Sequence, residues 1–179
     1  MLLEIKNLNK SFEINNKKIK ILNNLSFSID SNEIISIYGA SGSGKSTLLN
    51  IISGLMPSDS GHITFNGKLM DNDFNFIDFR KQNLGIVFQE DYLLMEFTAI
   101  ENIMLPNIIS GESKKNAYDK AYYLLEKFNL LDIKAAYPNT LSGGEKQRIS
   151  ILRSVINNPK LILADEPTGS IDEFNKQKI

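Results

Sequence analysis

Apolar and polar positions alternate differently in successive stretches of this chain, and the changes of period mark its elements. Leu2 to Phe12 and Lys18 to Ile29 carry β-type patterns and predict two strands joined by the polar turn Asn15-Asn16-Lys17. Glu33 to Tyr38 (Glu-Ile-Ile-Ser-Ile-Tyr) is a short β-branched run suited to a buried strand. Thr47 to Ser53 predicts a helix stopped by Gly54 and Pro57. Gly61 to Gly67 predicts a strand ending in an Asn66-Gly67 turn, and Leu84 to Gln89 another buried strand. From about Asp91 to Pro159 the period becomes helical. Thr98-Ala99-Ile100-Glu101 is a capping box that starts one helix. Ala117, Ala121, Leu124, Leu125 and Phe128 form an apolar stripe, and Ile149, Leu152, Val155 and Ile156 form a second, ended by Pro159. Lys160 to Asp165 returns to strand. The order predicts an α/β fold in one domain over 1–179: an N-terminal antiparallel β part, a nucleotide-type core and a helical insertion over about 91–158.

Composition narrows the classes. The 179 residues suit one domain with a real core, and 42% hydrophobic with 23% charged residues is ordinary for a globular protein. Without cysteine there is no disulfide framework, thiolate metal site or catalytic thiol, which fits a reducing cytosol. A net charge of −1 with no long basic run argues against a nucleic-acid partner. No apolar run reaches the roughly eighteen residues of a membrane span, and no signal peptide is expected at the start. If the protein works at a membrane, a partner must supply the membrane part.

Chemistry enters at Gly39-Ala40-Ser41-Gly42-Ser43-Gly44-Lys45-Ser46, which fits the phosphate-loop pattern G-x-x-x-x-G-K-[ST]. Its glycines allow a tight curl with positive φ, so that backbone N–H groups converge on an anion. Lys45 adds positive charge near the outer phosphates, and the Ser46 hydroxyl is a Mg²⁺ ligand, with Thr47 following in the same turn. The flanking strand and helix patterns are the context that separates this motif from a chance Gly/Ser-rich turn. Leu161 to Ala164 is an uninterrupted apolar run ending in Asp165-Glu166. Such a run suits a central parallel strand, whose C-terminal end faces the ligand crevice of an α/β sheet. Asp165 is then expected to hold Mg²⁺, and Glu166 to act as general base on the attacking water.

Leu141-Ser142-Gly143-Gly144-Glu145-Lys146-Gln147-Arg148 resembles the signature sequence of ABC-transporter ATPases. Read from its residues alone, Ser142-x-x-Glu145 is a capping box, and it suits an ordinary capped helix as well as an anion site at the Gly143 and Gly144 N–H groups. Other positions follow in the family's order. Phe12 resembles the aromatic that stacks on adenine, Gln89 the Q-loop glutamine, and Ser170-Ile171-Asp172 the D-loop. The resemblance implies Mg-ATP as ligand, Lys45, Gln89 and Glu166 as catalytic residues, and Ser46, Gln89 and Asp165 around the metal. Nucleotide contacts are implied for Phe12, Gly39 to Thr47, and Ser142, Gly143 and Gly144. It also implies a head-to-tail homodimer, in which the signature of one copy closes on the γ-phosphate held by the other. A membrane permease is the implied partner and the inner face of the cell membrane the implied location. Thr98 to Pro106 and Ala164 to Gly169 resemble, more narrowly, the lipoprotein-releasing and macrolide-export group.

The sequence departs from that family in two places. It ends at Ile179, where the family continues with a further helix and strand carrying a switch histidine. Its single histidine, His62, is expected on the surface. The departure leads to the expectation of weak ATP hydrolysis and an exposed apolar sheet edge, with a non-hydrolysing nucleotide-binding fragment as the alternative reading. Leu152 also stands where the family has a smaller residue, and so is expected to add volume to its helix.

Overall fold

The computed structural model describes residues 1–167, so Ser170-Ile171-Asp172, together with Thr168 and Gly169, lie outside the described residues. The chain divides into two compact units, Met1–Ile77 and Asp78–Ile179.

The first unit is built on an antiparallel sheet ordered β2-β1-β3-β4, with β1 at Leu3–Ile14, β2 at Lys17–Ile29, β3 at Ser60–Phe65 and β4 at Lys68–Leu69. β1 and β2 pair from Leu3↔Ile29 to Ile14↔Lys17, through register shifts near Leu8 and Lys10. Their turn is made by Asn15 and Asn16 at φ 51° and 60°. Asparagine tolerates this left-handed region because its short side chain bonds locally. Asn66-Gly67 closes the β3–β4 hairpin in the same way, at φ 49° and 75°. Leu3, Ile5, Leu8, Ile63 and Phe65 supply the buried face of the sheet. Helix α1 (Lys45–Ile52) buries Leu48, Ile51 and Ile52, one face at helical spacing, and Gly54 at φ 71° ends it.

One expectation is corrected here. Glu33 to Tyr38 forms no strand; Ile34 is 95% and Tyr38 91% exposed. β-Branched composition supplies only a preference, and a strand of the buried parallel kind forms when neighbouring ladders and covered faces stabilise it. This run has no ladder partner in the sheet of its unit.

The second unit begins within α2 (Phe76–Gln82), which the sequence pattern does not announce, and continues into β5 (Leu84–Val87). β5 pairs in parallel with β6 (Leu161–Ala164), Leu84 opposite Leu161 and Val87 opposite Ala164. Between them come α3 (Ala99–Ile109), α4 (Lys114–Lys127) and α5 (Gly143–Val155). Ile100, Ile103 and Met104 of α3, Ala117, Ala121 and Leu125 of α4, and Ile149 and Leu152 of α5 form one core. Leu152 is 1% exposed within it. Leu124 packs beside the core, whereas Phe128 is largely outside it, because it follows the last turn of α4. Asn102 is fully buried on α3 and laces the preceding loop: its amide donates to the carbonyls of Leu94, Phe97 and Thr98 and accepts from the Leu94 N–H. At Gly85 a Cβ would run into the Ser154 carbonyl, so only glycine lets β5 and α5 approach this closely.

Candidate functional site

The predicted site residues fall in both units, and each group has its own geometry. In the first unit the loop from Gly39 leads into α1 through Gly44, at φ 97°. A Cβ at Gly44 would lie 2.6 Å from Ile21 Cγ2 and 3.3 Å from the Ile21 carbonyl, so the loop sits tight against β2. Gly42 also takes positive φ, at 78°. The Ser43 N–H donates to the Ala40 carbonyl at 3.2 Å and closes the curl. The Lys45 ammonium turns back across the loop, donating to the carbonyls of Gly39 at 2.8 Å and Ala40 at 3.0 Å. The start of α1 has no side-chain cap. The first intrahelical bond there is Leu48 N–H to the Gly44 carbonyl. The N–H groups of Lys45, Ser46 and Thr47 thus stand at an open, positive helix end beside an ammonium, which is the chemistry of a phosphate site. Ser41, Gly42, Ser43 and Ser46 are exposed, and Phe12 is half-buried on β1.

In the second unit the strand pair continues past β6 with the Asp165 N–H donating to the Val87 carbonyl at 2.9 Å. This sets Asp165, half-buried, at the C-terminal end of the strands. Glu166 follows at φ 47°, an unusual value for a residue with a side chain. The Gln89 amide donates to its carboxylate at 3.4 Å, joining residues 77 positions apart. Two predicted catalytic groups therefore meet.

The signature segment forms the start of α5. Ser142 is its extended N-cap; its Oγ accepts from the Glu145 N–H at 3.3 Å. The Ser142 N–H and Oγ–H donate to the Glu145 carboxylate at 2.8 and 2.7 Å. These bonds hold the Glu145 carboxyl below its ordinary range, with Arg148 adding a smaller pull. Nothing stands within 4 Å of the Cβ side of Gly143, which leaves that end of the helix open to an incoming group.

Sequence reasoning missed the far end of the same helix. Arg153 donates to the carbonyls of Asp91 at 2.6 Å and Tyr92 at 2.8 Å, fixing the loop that leaves Gln89. Burial lowers its pKa, and Asp91 opposes that shift. Tyr92 is held at φ 43°. Backbone carbonyls leave no trace in a motif, so no sequence signal marks this clamp. A cavity of about 480 Å³ beside it is lined by Gln89, Glu90, Asp91, Met95, Gly143 and Gln147. Gln147 is 2% exposed, and its Nε2 has no hydrogen-bond partner among the described residues.

Among the described residues no group of three His, Cys, Asp or Glu side chains is placed to cage a metal. The expected donors, a serine hydroxyl, a glutamine amide oxygen and a single aspartate, are hard and few. That fits Mg²⁺, which keeps waters and leans on substrate phosphates rather than on an all-protein cage. His62 is exposed, as expected. No helix among the described residues is long and apolar enough to cross a membrane.

Residues 22–169 match the family model described as ABC transporter. The chain is 47% identical over 177 residues to the lipoprotein-releasing system ATP-binding protein LolD of Treponema denticola, covering 98% of this chain and 78% of that protein. It is 44% identical over 171 residues to LolD of Buchnera aphidicola, covering 94% and 75%. A solved ATP-binding cassette, a dimer in a post-hydrolysis state bound to ADP and Pi, superposes with a TM-score of 0.92 at 34% identity, covering 99% of this chain and 79% of that one.

Proposed function

The chain belongs to the ABC transporter family of ATP-binding domains, and we propose that it binds and hydrolyses Mg-ATP in a head-to-tail dimer that drives a membrane permease. The observation that carries this reading is the uncapped start of α1 behind the left-handed glycine curl, with Lys45 beside it. Phe12 stacks on the adenine. The N–H groups from Gly39 to Thr47 surround the phosphates, and Lys45 exchanges its loop carbonyls for phosphate oxygens. Ser46, Asp165 and Gln89 are the residues that would hold Mg²⁺, which would neutralise phosphate charge. Glu166 accepts the proton of the attacking water, and Gln89, hydrogen-bonded to it, orients that water. Ser142, Gly143 and Gly144 of a second copy meet the γ-phosphate through the open helix end.

The partner reading rests on the surface beyond Gln89. Glu90 and Asp91 are acidic and line a cavity, and Tyr92, Leu94 and Met95 expose apolar area next to it. That surface suits a basic cytoplasmic segment of a permease with an apolar face. The protein then works on the cytoplasmic side of the membrane through that partner. Likeness to lipoprotein-releasing ATPases makes membrane-held lipoprotein the proposed cargo.

Phosphate release by the purified chain, with and without Glu166→Gln, tests the proposal. The variant is expected to lose turnover, keep ATP binding and shift toward dimer in Mg-ATP by light scattering. Unchanged phosphate release in Glu166→Gln would overturn it.

A further inference from the structure

Lys10 and Asp59 stand 49 positions apart and meet beside Phe12. In the register of the first unit, β1 sets Lys10 opposite Leu22 and Phe12 opposite Ile19, and Gly44 lies against Ile21 and Leu22. Lys10 and Phe12 are thus on the strand next to the stretch that backs the phosphate loop. The Lys10 ammonium donates to Asp59 Oδ1 at 3.2 Å and lies over the Phe12 ring, 5.6 Å from its centroid. Its side chain is only 12% exposed, unusual for a lysine. Asp59 is itself fixed to β1: its Oδ2 accepts from the Ser11 N–H at 2.8 Å, and its own N–H donates to the Asn9 carbonyl at 2.9 Å. The bonds from Lys10 and Ser11 hold its carboxyl below the ordinary range, so it stays charged at neutral pH.

An aromatic ring has two faces, and the ammonium takes one of them. We propose that Lys10, anchored by Asp59, is a positioning residue for the nucleotide base: it fixes the Phe12 ring and leaves the opposite face for the purine. The cation draws the ring's π-electron density toward the covered face, which favours stacking of an electron-rich base on the other. The inference rests on the phosphate loop binding a nucleoside triphosphate. It adds a residue that no phosphate-loop pattern contains.

Calorimetric titration of the full chain with ATP and, separately, with inorganic tripolyphosphate tests it. Lys10→Met keeps the length of the side chain and removes the charge. It is expected to weaken ATP binding about threefold, the scale of a cation–π contact, and to leave tripolyphosphate binding unchanged. Lys10→Arg restores ATP affinity because guanidinium also stacks on the ring. Asp59→Asn, which frees the ammonium, weakens ATP selectively and by less. ATP affinity unchanged in Lys10→Met overturns the inference while the nucleotide reading stands. Equal losses for both ligands also overturn it, because they place Lys10 at the phosphates or in general folding. A wild-type chain that binds neither ligand overturns the nucleotide reading and this inference with it.

Discussion

The starts of α1 and α5 solve the same problem in opposite ways. Both leave N–H groups without intrahelical acceptors, as every helix start does. α5 satisfies part of its own with a capping box, in which Ser142 and Glu145 exchange bonds. α1 has no side-chain cap and is entered through a left-handed glycine. The α5 cap takes up the Glu145 N–H and leaves those of Gly143 and Gly144 without an intrahelical acceptor; in the proposed reading the phosphates complete the α1 end. α3 sharpens the contrast, because Thr98 and Glu101 form the same box as α5 at a helix to which no ligand role is assigned. A capping box therefore marks a helix start and not a binding site. What distinguishes α5 is the pair of glycines behind its cap, with open space on the Cβ side of Gly143.

The largest effect that tests this comparison is ligand-dependent stability. Mg-ATP at about a hundred times its Kd is expected to stabilise the chain by about 2.7 kcal/mol. Gly44→Val abolishes that gain, because a side chain at φ 97° would strike Ile21. Lys45→Ala, which leaves the backbone free, reduces it severely. Urea melts with and without Mg-ATP measure both, and a full ATP shift in either variant breaks the contrast.

A middle-sized effect separates the two capping boxes. Ser142→Ala and Thr98→Ala are each expected to cost about 1 kcal/mol of stability, the usual worth of an N-cap. Only Ser142→Ala should also weaken the ATP-driven dimer, measured by light scattering at matched folded fraction. Loss of dimer in both variants would remove the distinction between α3 and α5.

The smallest effect is a pH dependence. The Glu145 carboxyl titrates below its ordinary value of 4.5 because Ser142 bonds its charged form. The unfolded chain therefore takes up that proton first. The stabilisation is present above about pH 4.5 and is lost as pH falls through the lower folded value. Glu145→Gln keeps a cap and cannot titrate, so its stability from urea melts should decline less on acidification, by roughly a few tenths of a kcal/mol for a group still largely screened by solvent. Identical acid profiles for the two proteins would remove Glu145 from the pH response.

Elements whose cause is local were legible in the sequence. The Asn15-Asn16 and Asn66-Gly67 turns, the boxes at Thr98 and Ser142 and the stop at Gly54 each depend on a few neighbouring residues. The phosphate loop was legible for the same reason, since its glycines and Lys45 act on their own backbone. The run from Glu33 to Tyr38 misled because its β-branched residues state a preference that only a pairing strand can satisfy. Leu152, expected to add volume to its helix, is buried at 1% exposure in the core of the second unit, a surrounding that its own stretch of sequence does not specify.

By itself, the sequence determined the turns at Asn15-Asn16 and Asn66-Gly67, the helix starts at Thr98 and Ser142, and the membership of the family. Tertiary structure alone decided which distant groups meet: Gln89 with Glu166, Arg153 with the carbonyls of Asp91 and Tyr92, and Lys10 with Asp59 over Phe12. The physical reason is the range of the forces involved. Caps and turns are hydrogen bonds closed within four or five residues, whereas these contacts join positions tens of residues apart and form only once packing and strand register have brought the segments together.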